Sequence, residues 1–185
     1  MQTQKRSWIY SGLAHPRGVV LARSERPRRR LRSGSSLLLC GDEHAWGLRP
    51  FLGHLCRDGG VSFSARAHRC TLEDWADSAG LRAAVAEFEP TVVVMSLGLC
   101  GAPSEKTAAT VRDIAAAARS SRGTLVWLRP PERSAAGAGL RQQLDHAKVP
   151  SFHSDALELP RGPDGKLPTA RGYAGWAGAL WRWIG

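Results

Sequence analysis

The sequence LLLCGDEHAWGL, residues 37–48, contains an apolar run that ends abruptly in a glycine and a polar turn. Four apolar residues between two serines and Gly41 are typical of a buried β-strand. The apolar residues after the turn recur mostly at helical spacing, so the segment predicts a strand, a turn and a helix. In an open α/β sheet, ligands bind beyond the carboxyl ends of the strands. We therefore expect Asp42, Glu43 and His44 to lie at the edge of the sheet where the active sites of such folds are usually found.

The same alternation continues along the chain. Further strands are predicted near residues 61–65, 91–97, 125–128 and 149–152, and further helices over residues 71–89, 104–119, 139–147 and 170–184. The β-branched run at 91–97 is apolar on both faces, which is typical of a central parallel strand. Strands and helices that alternate with right-handed crossovers build a parallel sheet between two helix layers. The predicted fold class is α/β, a three-layer αβα sandwich with a parallel sheet of about five strands.

The last predicted helix has one apolar stripe, formed by Tyr173, Trp176, Leu180 and Ile184. A stripe of this kind packs on a sheet more often than it binds a ligand. Trp181 falls off the stripe, so we expect it to make contacts outside the domain.

The charge of the chain is unusual for an ordinary globular composition. The 185 residues are 43% apolar and 23% charged, but the net charge is +10 and the pI is about 10.5. The excess lies before residue 34, where nine basic residues oppose only Glu25. This stretch has no sustained period of either kind. We predict a basic extended arm over residues 1–34 and one α/β domain over residues 35–185.

The arm combines dense positive charge with apolar residues, which are unusual in a purely solvating tail. Its arginines can neutralise phosphates, and its aromatic residues offer apolar contact. The predicted binding residues are Arg26, Arg28, Arg29, Arg30, Arg32, Trp8 and Tyr10. The expected partners are other protein subunits of an assembly and, as a further option, nucleic acid.

The cysteines and the apolar runs indicate the cellular compartment in which the protein is expected. Cys40, Cys56, Cys70 and Cys100 form no C-x-x-C pair, which favours free thiols in a reducing compartment. The amino-terminal region has no signal-peptide pattern, and no apolar run approaches the length of a membrane span. The predicted location is the cytoplasm or a virion-like particle, with no membrane partner.

Four short sequence blocks follow one another along the chain in an order that is also found in a known family. They are Gly41-Asp42 followed by Gly47-Leu48, a polar turn at residues 66–71, Gly98-Leu99-Cys100, and Asp164-Gly165-Lys166-Leu167-Pro168 before the last helix. From about Ser35 to the carboxyl end, the chain resembles the SGNH, or GDSL-type, hydrolase family. The resemblance implies that family's fold, with its strands in the flavodoxin-like order.

The residues at the positions that the resemblance gives to the family's catalytic residues are of other types. Glu43 stands at the position of the nucleophilic serine, Cys100 at that of the oxyanion-hole asparagine, and Leu167 at that of the histidine that Asp164 would orient. The turn with the oxyanion-hole glycine has His68, Arg69 and Cys70 instead. A serine nucleophile needs an adjacent imidazole held by a carboxylate. No catalytic residue is therefore expected among the degenerate positions Asp42, Glu43, Cys100, Asp164 and Leu167.

Three other chemistries are weaker alternatives. Glu43, His44, His68, Cys70, Cys100 and Asp164 could gather a zinc ion, although no pair of them has the usual zinc spacing. A thiolate at Cys100 would need His44 or His68 as its base. A glycosidase would need a second carboxylate at a defined distance from Glu43. We expect no metal and no cofactor.

The hypothesis favoured at this point is a non-catalytic structural or binding module, a subunit of a larger assembly such as a virion particle, that docks through its arm. Two alternatives are an ester or acyl hydrolase with a rearranged site, and a nucleic-acid-binding protein that acts through the arm.

Overall fold

The computed structural model describes residues 30–76, 79–98, 106–119, 123–131, 135–163 and 165–185. The strands are β1 (Ser36–Gly41), β2 (Ser62–Ala67), β3 (Val92–Ser96), β4 (Thr124–Leu128) and β5 (Ser151–Phe152). The helices are α1 (Glu43–Asp58), α2 (Leu72–Ala76), α3 (Ala79–Phe88), α4 (Thr107–Arg119), α5 (Ala135–His146) and α6 (Ala170–Ile184). A single 3₁₀ turn, Ser154–Ala156, follows β5.

The five strands form one parallel sheet in the order β2-β1-β3-β4-β5. Leu38 in β1 pairs with Val93 in β3 on one side and with Ser64 in β2 on the other. This is the flavodoxin-like order of doubly wound sheets. The predicted α/β class and the five-stranded parallel sheet are confirmed.

The sheet is covered by helices on both faces because successive strand residues point to opposite sides. Leu37 and Leu39 pack with α1 and α6, where Trp176 and Leu180 are fully buried. Leu38 and the other alternate residues pack with α2 to α5. The turns that follow the strands are thus attached to a sheet that is packed on both faces. None of the helices in the described parts of the chain has the length and apolar content needed to cross a membrane.

The helix that was predicted over residues 71–89 is two helices, α2 and α3. Its predicted start is correct: the Thr71 amide donates to Asp74 Oδ2 over 2.7 Å, and the Asp74 amide donates to Thr71 Oγ1 over 3.3 Å. This reciprocal pair is a capping box. Residues 77 and 78, between the two helices, lie outside the described residues.

Among the described tryptophans, Trp46 is the exposed one at 61%, whereas contacts outside the domain were expected of Trp181. Trp181 is partly buried against the α1–α6 core. Its ring lies over the end of α1, where a Cβ atom added to Gly59 would meet Trp181 at 2.7 Å. From its off-stripe position on α6, Trp181 thus packs on the neighbouring helix, and outside contacts at Trp181 stay a prediction.

The last residues of the predicted arm pack on the domain. Leu31 is 6% exposed, and its amide donates to the Ile184 carbonyl over 2.8 Å. The Gly34 amide donates to the Gly60 carbonyl over 2.9 Å. Residues 1–29, with the predicted binding residues Trp8, Tyr10, Arg26, Arg28 and Arg29, lie outside the described residues. The division of the chain at residue 34 stays a prediction.

Candidate functional site

The polar turn at the carboxyl end of β1 is held tightly against β3. Gly41 has φ +146°, and a Cβ atom placed on it would lie 1.8 Å from the Ser96 carbonyl oxygen. The next amide, that of Asp42, donates to the same oxygen over 2.9 Å. Asp42 is 1% exposed, and its Oδ1 accepts from the His44 amide over 3.1 Å. Asp42 is therefore the N-cap of α1, which is a structural role.

Glu43 occupies the position that the resemblance gives to a nucleophile. Its side chain is 27% exposed, and Oε1 lies 3.3 Å from Nε of Arg69, whose side chain is 89% exposed. A carboxylate in the first turn of a helix interacts favourably with the helix dipole. The ion pair with so exposed an arginine adds little to stability. These contacts give Glu43 an electrostatic role at the start of α1.

His44, which was expected at the ligand edge of the sheet, points into the core. It is 2% exposed, and Nδ1 lies 3.2 Å from the Tyr173 hydroxyl. Its ring also meets the Trp176 ring edge-on at 5.2 Å. Both aromatic residues belong to α6. His44 thus joins α1 to α6 and does not face the loops that follow the strands.

His68 and Cys70 lie on the other side of the sheet. The His68 ring stacks on Trp75, with 5.3 Å between the centroids. Cys70 is buried, and its Sγ accepts from Trp75 Nε1 over 2.8 Å. Trp75 belongs to the core beneath α2 to α5, so the sheet separates this group from His44.

Among the residues considered for a zinc site, the described ones, Glu43, His44, His68 and Cys70, are not brought together. Within the described ranges, no three His, Cys, Asp or Glu side chains are grouped in a way that could hold a metal ion. Cys100 and Asp164, the remaining two candidate ligands, lie outside the described residues. Leu167 is half-buried beside the Arg161–Pro168 bridge that precedes α6.

Two of the described thiols are poor nucleophiles. Burial raises the pKa of Cys40 to about 12, although the nearby Arg66 opposes the rise. Burial also raises the pKa of Cys56 to about 11. The thiolate is the reactive form of cysteine. Both side chains are consequently neutral and unreactive near pH 7.

Sequence reasoning missed a polar network at the ends of β4 and β5. Arg129 is 9% exposed, and its Nε donates to Ser151 Oγ over 3.0 Å. Its guanidinium also pairs with Asp145 on α5. Next to it, burial and the charge of Arg129 lower the pKa of His153, against a smaller opposing effect of Asp155. Since the network ties β4 and β5 to α5, its evident role is structural. No motif or spacing in the sequence marks it.

The helices of the layer formed by α1 and α6 have a net positive charge, because they contain fewer acidic residues than those of the opposite layer. These helices contain two acidic residues, Glu43 and Asp58, against the four arginines Arg49, Arg57, Arg171 and Arg182. Asp58 is itself 3.4 Å from His54. The opposite layer, α2 to α5, has five acidic residues and the four arginines Arg82, Arg112, Arg119 and Arg141. The α1–α6 layer is thus the basic face of the domain.

Trp46 lies on this basic face. It is the one large hydrophobic side chain that is exposed in the described part of the chain. The Arg49 guanidinium carbon is 5.9 Å from the centroid of its ring. That distance is within the range of a cation–π contact. An aromatic surface and a cation are therefore presented together.

Comparison with solved structures shows the fold. The chain superimposes on protein YxiM from Bacillus subtilis with a TM-score of 0.62 at 12% identity, covering 83% of this chain and 56% of that one. It thus spans little more than half of that protein's length. A ribose-5-phosphate isomerase B from Giardia lamblia matches at TM-score 0.31 and 15% identity, with 78% and 93% of the two chains covered. A GDP-L-fucose synthetase from Naegleria fowleri bound to NADP matches at TM-score 0.34 and 12% identity, with 86% and 47% covered.

The resemblance to the SGNH, or GDSL-type, hydrolase family was wrong as a family assignment. No protein-family model matches the chain, and no curated protein matches it. An identity of 12% with a solved structure shows an α/β fold alone. The structure also explains why the blocks misled. Gly41 permits the close approach of β1 to β3, and Asp42 caps α1. In this chain both residues thus have structural roles that require no catalytic chemistry.

Proposed function

We propose that this protein binds nucleic acid through its basic arm together with the arginines of the domain where the arm joins it. The observation that carries the proposal is the attachment of Leu31. Because its side chain is buried and its amide is bonded to the end of α6, the flanking residues Arg30 and Arg32 are held at exposed positions on the domain.

Two further arginines lie at the same end of the domain. Arg57 is in the last turn of α1 and Arg182 is in the last turn of α6. The two helix ends are neighbours, since Trp181 lies over Gly59. Gly34 is bonded to Gly60, just beyond α1. We call Arg30, Arg32, Arg57 and Arg182 the arm-junction arginines.

The arm-junction arginines are available for an anionic partner. None of the four forms an ion pair with another residue that the structure describes. Basic side chains in a last helical turn also stabilise the helix dipole, which accounts in part for Arg57 and Arg182. That effect does not account for Arg30 and Arg32, or for the arginine run that precedes them in the sequence. Phosphate neutralisation accounts for all of them.

The other hypotheses have less support. A hydrolase with a rearranged site is not favoured, because Glu43 is paired with Arg69 and His44 faces the core. The hypothesis of a subunit in a virion or other large assembly stays a prediction, since the contacts within one chain do not bear on it.

The triple substitution Arg32→Gln, Arg57→Gln and Arg182→Gln tests the proposal in the full chain. We expect it to weaken binding to duplex DNA by about tenfold or more at low salt, because three phosphate contacts are lost. The matched control is Arg82→Gln, Arg112→Gln and Arg119→Gln. It removes the same charge from exposed positions on the opposite layer.

Fluorescence anisotropy of a labelled duplex measures both affinities. The control should change the affinity much less than the test variant. Equal losses in the two variants would show that only net charge matters and would contradict a role for the arm-junction arginines. Absence of binding by the unmodified chain to this duplex and to a single strand of equal length would refute the proposed function itself.

A further inference from the structure

We infer that Trp46 is a base-stacking residue and that the α1–α6 face binds single-stranded nucleic acid in preference to duplex. The inference rests on the proposed function and names the ligand class of the same basic face. Its starting point is the exposure of Trp46, 61%, while four other tryptophans of the domain, Trp75, Trp127, Trp176 and Trp183, are buried.

The geometry of α1 aligns Trp46 with the arm junction. Residues 46, 50, 53 and 57 follow one another at helical spacing, so they lie along one face. Trp46 and Arg57 are therefore at opposite ends of a stripe about 16 Å long. Pro50 and Gly53 lie between them, and neither is acidic. A strand whose phosphates contact the arm-junction arginines would reach Trp46 by following this stripe.

The chemistry of Trp46 distinguishes the two forms of nucleic acid. An aromatic ring stacks on any base, but only when the base is not already stacked inside a duplex. Arg49, beside the ring, can contribute a phosphate contact or a cation–π contact to the same nucleotide. Other exposed arginines, such as Arg82 on α3, would act on both forms through charge alone.

An anionic membrane is the other surface that attracts tryptophan and arginine. Helices that lie in a membrane interface bury a whole apolar face in it. On α1 the apolar residues Leu48 and Leu52 face the protein core, and Trp46 alone is a large exposed apolar side chain. The observations therefore favour nucleic acid.

The test compares the full-length chain with its Trp46→Ala and Trp46→Phe variants, using a labelled oligothymidine and a duplex of equal length at one salt concentration. Trp46→Ala should weaken binding of the single strand by about fivefold to a hundredfold, because one base loses its stacking partner. Trp46→Phe should retain most of the affinity. Duplex binding should change by less than about twofold, since it depends on phosphate contacts.

The outcomes separate this inference from the proposed function. If the unmodified chain binds both forms and Trp46→Ala leaves its affinity for oligothymidine unaltered, the stacking role is refuted and the proposed function stands. If the unmodified chain binds neither form, both fail. If Trp46→Ala lowers binding to phosphatidylserine–phosphatidylcholine vesicles while leaving oligothymidine binding unchanged, the face is a membrane site and the inference is overturned.

Discussion

Gly41→Ala should destabilise the domain by at least about 3 kcal/mol. The reason is twofold: φ at Gly41 is +146°, and the added Cβ atom would lie 1.8 Å from the Ser96 carbonyl oxygen. A side chain at positive φ costs about 1–3 kcal/mol, and overpacking costs a similar amount. Since domains have only about 5–15 kcal/mol of stability in total, this loss is a large share of the free energy of unfolding.

Urea unfolding followed by circular dichroism measures the loss, with Gly34→Ala as the control. Gly34 also has positive φ, +83°, but a Cβ atom there would have nothing within 4 Å. The control isolates the backbone strain and should cost about 1–2 kcal/mol. Equal losses in the two variants would contradict the close approach of β1 and β3 at this turn.

Trp176→Ala should lower the free energy of unfolding by about 3–5 kcal/mol, the usual cost of removing a large aromatic side chain from a core. Trp176 is 0% exposed, and its ring contacts both His44 and Tyr173. The Trp176 side chain fills the space between α1 and α6. The loss would leave a cavity at the centre of the basic layer.

Trp46→Ala is the control for this substitution, because it removes the same side chain from the surface. We expect its effect on stability to be within about 0.5 kcal/mol. The same urea titration measures both variants. A stability loss at Trp46 comparable with that at Trp176 would mean that Trp46 packs within the domain, and its proposed role in binding would lose its basis.

Most of the fold could be predicted from local patterns. The apolar run of β1 ends at Gly41, that of β3 lies just before Gly98, and α6 has one apolar stripe. The period and the length of these runs therefore indicated which elements they form. The attachment of Leu31 could not be predicted, because it depends on a hydrogen bond to Ile184, at the far end of the sequence. The packing of Trp181 could not be predicted either, because it depends on Gly59 at the end of another helix.

The candidate site was harder to predict because it begins at the start of a helix. Asp42, Glu43 and His44 are adjacent in sequence and were placed together at the edge of the sheet. Successive helical residues are rotated by about 100°, however, so Glu43 reaches Arg69 outside while His44 reaches Tyr173 inside. The charge of the arm was visible in composition. The basic α1–α6 face was not, since its arginines are distant in sequence.

The fold by itself leaves the function open. The YxiM structure is similar over 83% of this chain, but at 12% identity the similarity concerns architecture alone. One architecture serves many activities, so function has to be argued from a site. The site proposed for this chain consists of the arm-junction arginines and Trp46.

The salt dependence of duplex DNA binding tests the central claim most directly. It should be measured for the full chain and for a chain that begins at residue 30, which keeps Leu31 and its attachment. Each neutralised phosphate contributes about −0.9 to the slope of log affinity against log salt concentration. We predict a slope of about −3 or steeper for the full chain, and a shallower slope with unaltered cooperative unfolding for the shortened chain. A slope near zero for the full chain would contradict the account.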